Sequence, residues 1–147
     1  MADRDWFERD LWGPTSVEFV ISVWRRLVKR LEPWQSMPLD DRTGELRRLL
    51  EELLDSVGGI NAPARRRRIR TVASRHGAFR RSQRCAEDIV VNDFAVLRRA
   101  VRRALLTRGV SEPVRRQVCR TLLPDIRVAR RAARMAHAEA YDRLEGG

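Results

Sequence analysis

Apolar residues recur at spacings of three and four along most of this chain, and alternation at a spacing of two is scarce, so the pattern predicts an all-α fold. The first stripe is Val17, Val20, Ile21, Trp24, Leu27, Val28 and Leu31. Thr15 and Glu18, just after Pro14, have capping-box spacing, and Pro33 sets an end near residue 32. The stretch 32–41, EPWQSMPLDD, reads as a loop. A second stripe, Leu46, Leu49, Leu50, Leu53, Leu54 and Val57, predicts one helix over about 41–57, stopped by Gly58 and Gly59.

Asn61 and Pro63 open a third helix over about 62–82. Its face is narrow: Ile69, Val72, Ala73, His76 and Phe79/Arg80. Arg65 to Arg68 crowd its first turns, where positive charge opposes the helix dipole. An acidic surface from elsewhere in the protein or from a partner offsets that cost; a solvated charged face is the alternative. The fourth segment, 85–107, is the strongest. Val90, Phe94, Leu97, Val101 and Leu105 make its stripe, widened by Ile89, Val91, Val96, Ala100, Ala104 and Leu106. A stripe this wide means contact with more than one neighbour, and its length rules out a strand. Gly109 closes it. Ser111, Glu112 and Pro113 then start a fifth helix over 112–143, with Val114, Val118, Leu122, Ile126, Ala129, Ala133, Ala136 and Ala140 on one face. Pro124 predicts a break or kink, and the small alanines permit close helix approach. The expected fold is a five-to-six-helix domain, globin-like or a helical bundle, which periodicity alone does not separate.

Length changes this picture little: 147 residues make one compact domain, with 1–14 as an aromatic extension bearing Trp6, Phe7 and Trp12. Acidic groups surround those rings, which favours packing on the bundle or on a dimer seam over an anionic bilayer. No apolar run is long enough for a transmembrane helix, and the acidic start is unlike a signal peptide, so a cytoplasmic location is expected. Charge changes the picture more. The net +11 hides an asymmetry: residues 1–60 hold nine basic and twelve acidic groups (−3), residues 61–147 hold 22 and eight (+14). That difference attracts nucleic acid, an acidic protein or an anionic membrane, or holds the acidic first half against the basic second half, within a protomer or across a dimer.

Candidate chemistry is sparse. Cys85 and Cys119 are too few and too distant for a disulfide framework, although one bridge between them stays open. With His76 and His137 they lack the spacing of a zinc site. Ser74 and His76 have no GxSxG context, no phosphate-binding glycine loop is present, and the acids sit in charged helical runs. The expectation is a non-enzymatic protein without a cofactor.

The segment HGAFRRSQRCAEDIVVNDFAVLR, residues 76–98, is the part with a family-like signature. His76, Arg80, Gln83, Asp93, Phe94, Leu97 and Arg98 resemble, without a gap, the pattern of the N-terminal sensory domains of RsbR-type co-antagonists in bacterial stress signalling. Related modules precede histidine kinases. The family usually carries Gly after the Gln, where this chain has Arg84, and Glu where it has Asp93. The resemblance implies a globin-like, haem-free, homodimeric domain passing a signal to an output domain or a signalling partner. It makes the seven matched residues candidate coupling or interaction sites.

Physical chemistry gives those residues a separate reading. If 83–98 is helical, Arg80, Gln83 and Glu87 share a face. Phe94 and Leu97 belong to the core. Asp93, beside them, is expected to pair with an Arg of another helix, Arg80 or one from a partner protomer. His76 is a hydrogen-bonding group, ligand or titrating site. Trp24, His76, Phe79 and Phe94 are a candidate pocket lining. The rival functional class is a nucleic-acid-binding module using Arg65–Arg68, Arg80, Arg81, Arg84 and the Arg98/Arg99/Arg102/Arg103 series on phosphates. No aromatic residues interleave with those arginines, which weakens single-strand recognition.

Overall fold

A computed structural model describes residues 14–55 and 62–146, with side chains over 17–54 and 63–139. The ring-bearing extension, Val57, Gly58, Gly59 and Asn61, and the side chains of Thr15 and Ala140, lie outside the described residues. Among the described residues six α-helices follow in order: α1 (Pro14–Val28), α2 (Leu39–Thr43), α3 (Leu46–Asp55), α4 (Ala62–Ser82), α5 (Glu87–Thr107) and α6 (Glu112–Gly146). A 3-10 turn at Trp34–Ser36 lies between α1 and α2, and no strand occurs among the described residues. The fold is an all-α helical bundle. None of its described helices is long and apolar enough to cross a membrane.

Each stripe faces one shared core. Ile21, Trp24 and Val28 of α1, Leu46 to Leu54 of α3, Ile69 to Ala73 of α4, Val90 to Leu105 of α5 and Val118 to Ala133 of α6 supply it. The wide stripe of α5 has two neighbours, α1 and α6, as its width requires. The most extensive helix pair is α4 with α6. Small residues make that possible. At Gly77 an added Cβ would stand 2.0 Å from the carbonyl oxygen of Ala133, so the two backbones touch directly.

Three features depart from the sequence reading. The helix expected over 41–57 is two helices, because Gly44 adopts φ +51° and ψ −127°. That conformation favours glycine, and a Cβ there would lie 2.9 Å from the Phe79 ring and 3.0 Å from His76 Nδ1. α1 stops at Val28, and Leu31 is left 46% exposed. Conversely, α6 runs through Pro124 unbroken. Pro124 lies on the exposed side, as does Arg120, whose carbonyl loses its helical partner and can be hydrated there.

The arginines at the start of α4 find internal acids in two cases. Arg65, 15% exposed, pairs with Asp125 of α6, 4% exposed, and Arg68 pairs with Glu52 of α3 at 3.2 Å. Arg66 and Arg67 face solvent. At the other end, α4 closes with a Schellman motif: the Cys85 N–H bonds the Arg80 carbonyl at 3.0 Å and the Arg84 N–H bonds that of Arg81 at 2.9 Å. The left-handed residue this motif requires is Arg84, at φ +60°. It occupies the position where the resembling family carries glycine.

Two substitutions test these backbone constraints in opposite directions. Helix propensity alone predicts that Gly77→Ala stabilises the protein by up to about 1 kcal/mol. The contact with Ala133 reverses the sign, and a loss of about 3 kcal/mol is expected in chemical denaturation. Arg84→Gly relieves a left-handed conformation costing about 1–2 kcal/mol and returns part of it as unfolded-state entropy. A net gain of about 0.5–1 kcal/mol is expected in the same assay.

Candidate functional site

Asp93 stands one turn and a half into α5 and is 0% exposed. A carboxylate so placed needs a donor on every lone pair. It has them. Oδ1 accepts from Trp34 Nε1 at 2.9 Å and from Arg80 Nη2 at 3.2 Å. Oδ2 accepts from Arg80 Nε at 2.8 Å and from His76 Nε2 at 2.8 Å. The Arg80 contact is a two-point fork, the strongest geometry available to this pair. The backbone carbonyl of Asp93 also accepts from Trp24 Nε1 at 3.4 Å.

Arg80, also 0% exposed, spends its remaining N–H groups on the segment before α3 and on Gln83. Nη1 donates to the carbonyl of Asp41 at 2.9 Å and to Gln83 Oε1 at 2.8 Å; Nη2 donates to the carbonyl of Arg42. Gln83 Nε2 reaches the same Asp41 carbonyl at 3.4 Å. His76 completes the clamp. Its Nδ1 accepts from the Glu45 N–H at 3.4 Å, which leaves Nε2 to carry the proton given to Asp93. Its ring meets Phe94 edge-on at 6.0 Å, and Trp24 meets Trp34 edge-on at 6.3 Å. The Asp93 carboxylate thus joins the 34–45 segment, α4 and α5, and its backbone carbonyl adds α1.

The electrostatics have opposing parts. Burial alone would push the Asp93 carboxyl up. The His76 hydrogen bond, with the charge and hydrogen bonds of Arg80, outweighs it and holds the group below its ordinary value of 3.8. Chemically the site is saturated: both Asp93 oxygens and both His76 nitrogens are engaged inside the fold. The geometry ties distant parts of the chain to one buried charge.

Of the seven residues singled out in the 76–98 segment, His76, Arg80, Gln83 and Asp93 meet in this hub. Phe94 and Leu97 are core residues, 1% and 0% exposed. Arg98 is separate from them, exposed beside a groove between α5 and α6. The expected cross-helix partner of Asp93 is Arg80. Glu87 does not share a face with Arg80 and Gln83, because α4 ends at Ser82 and α5 begins at Glu87; it pairs with Arg134 of α6 at 2.8 Å instead. Of the candidate pocket lining, Trp24, His76 and Phe94 are packed around the hub, and Phe79 lies half-buried against Gly44. Sequence reasoning missed Trp34, Gly44 and the Asp41 and Arg42 carbonyls. A tryptophan between two prolines in a connecting loop was the available signal.

The other polar candidates are dispersed. His137 donates from Nε2 to the Cys85 carbonyl at 2.7 Å, fastening α6 to the turn between α4 and α5. Cys85 and Cys119 are free thiols; burial pushes the Cys85 thiol up, partly countered by Arg80. Among the described residues no group of three or more His, Cys, Asp or Glu is placed to hold a metal ion. No protein-family model, curated protein or solved structure matches this chain.

The hub makes stability depend on one charge. Asp93→Ala leaves the Arg80 guanidinium buried without its counter-charge, and a loss of about 3–5 kcal/mol is expected in denaturant titration. The pH dependence has a definite sign. A carboxyl lowered in the folded state contributes fully above its unfolded value, near 3.8, and its contribution is lost as pH falls through the lower folded value. The stability gap between wild type and Asp93→Ala should therefore be constant from pH 7 to about 5 and shrink below about pH 4. A gap that widens on acidification would show that Asp93 is not held ionised.

Proposed function

We propose that this chain is a non-catalytic sensory or regulatory interaction domain of bacterial signal transduction, working as a homodimer on a signalling-protein partner or a detached output domain. The observation that carries the reading is the convergence of His76, Arg80, Gln83 and Asp93 on one buried centre. These are four of the seven residues on which the resemblance to RsbR-type sensory domains rests. A globin-like helix arrangement without haem belongs to the same proposal.

The hub supplies a mechanism. It couples α1, the 34–45 segment, α4 and α5 through a few directional bonds, so moving one of them re-pairs donors on the others. A signal acts by favouring one of two pairings, and its effect is bounded by its differential affinity for them. Two measurements test this. Sedimentation between nanomolar and micromolar concentration should show a monomer–dimer equilibrium. NMR relaxation dispersion at the Trp24 and Trp34 indole N–H groups should report exchange on the microsecond–millisecond scale. A clean monomer overturns the dimer, and flat dispersion at both indoles overturns hub switching.

A second reading is an arginine-rich nucleic-acid-binding module. Its support is the exposure of Arg66, Arg67 and Arg70 on α4 and of Arg98, Arg99, Arg102 and Arg103 on α5. If it holds, labelled duplex binds at micromolar or tighter affinity with a steep negative salt slope. No binding even at low salt ends it.

A further inference from the structure

The apolar stripe of α5 is wider than its packing covers. Arg98, Arg102 and Leu106 succeed one another at four-residue spacing, and Leu106 is 56% exposed. Between this line and α6 lie two hollows of about 250 and 320 Å³. Both are lined by Arg102, Arg116 and Cys119, so they adjoin in one groove. Val101, Leu105, Leu122 and Ile126 make an apolar floor. Arg98, Arg115 and Arg120 extend the cationic rim; its acid is Glu112, paired with Arg116 at 2.5 Å. An apolar trough beneath arginines suits a segment carrying large apolar side chains among carboxylates.

The first thirteen residues, MADRDWFERDLWG, are such a segment. Trp6, Phe7, Leu11 and Trp12 are its apolar groups, and Asp3, Asp5, Glu8 and Asp10 outnumber Arg4 and Arg9 by four to two. The fold delivers the chain to the right end of the groove. α1 runs antiparallel to α5. Trp24 bonds the Asp93 carbonyl near the start of α5, whereas Phe19, nearer the start of α1, lies under the Arg108 guanidinium at 4.6 Å, just past the end of α5. Pro14, the first residue of α1, is five residues before Phe19, further toward that end of the helix. The near end of the groove is formed by Leu105 and Leu106 at the end of α5 and Glu112 at the start of α6. Its length along α6 is about 20 Å, and thirteen residues reach about 20 Å as a helix and about 43 Å extended.

We propose that residues 1–13 dock in the α5–α6 groove of their own chain, aromatic side chains in the hollows and carboxylates against the arginine rim. Direct continuity with α1 gives the segment an effective concentration in the millimolar range. An acidic, aromatic partner must then displace it to reach the groove. The proposal does not depend on the hub, which lies at the other end of α1.

Cys119, in the wall shared by both hollows, is the reporter. In a Cys85→Ala background, an aromatic disulfide reagent reads Cys119 alone. If the segment is docked nine-tenths of the time, deleting residues 2–12 speeds Cys119 modification about tenfold. The full-length triple variant Trp6→Ala/Phe7→Ala/Trp12→Ala should do the same, which covers the case in which the shortened chain fails to fold. A synthetic 1–13 peptide should restore protection to the shortened chain, and Arg102→Glu/Arg116→Glu should abolish that restoration. Equal rates in the full chain and the triple variant overturn the docking. So does protection that vanishes on dilution from micromolar to nanomolar protein, since the segment would then come from a second copy. Either failure leaves the sedimentation and dispersion results for the signalling reading unchanged.

Discussion

A carboxylate removed from water is the constraint from which the rest of this bundle follows. An isolated buried charge is far too costly to keep, so the fold surrounds Asp93 with four donor contacts from His76, Arg80 and Trp34. The donors come from distant parts of the chain, and each contact works within a few tenths of an ångström. α4, α5 and the 34–45 segment therefore have little freedom in how they meet. Replacing such a cluster by apolar residues is often neutral or stabilising, so net stability is a weak reason for it.

The 34–45 segment shows the effect most plainly. It has few buried apolar side chains: Trp34 and Thr43 are buried, and Met37 is half-buried. Hydrophobic burial alone would hold it loosely. Arg80 holds it through its backbone, bonding the Asp41 and Arg42 carbonyls, while Asp93 anchors the Trp34 indole. Gly44 then removes the side chain that would collide with His76 and Phe79. A stretch of one 3-10 turn and one short helix is thereby tied to α4 and α5.

α5 serves two surfaces. Inward, Asp93, Phe94 and Leu97 meet the hub and core. Outward, Arg98, Arg102 and Leu106 edge the groove with α6. One helix carries both. The close contact of Gly77 with Ala133 keeps α6 against α4.

By itself, the sequence determined the helical class, the positions of the long helices and most of the core, because burying one face of a helix imprints a 3.6-residue period that needs no partner to be recognised. It also placed Asp93 beside the apolar stripe, and a carboxyl there has to find a cation. Only the tertiary structure decided which cation, that His76 and Trp34 share it, and that Arg80 also bonds two loop carbonyls, since those contacts join residues 13 to 59 positions apart with no periodic trace. The same holds for Gly44 and Pro124. Whether a glycine splits a helix or a proline is tolerated within one depends on what lies against that face, and local propensity contains no information about the neighbour.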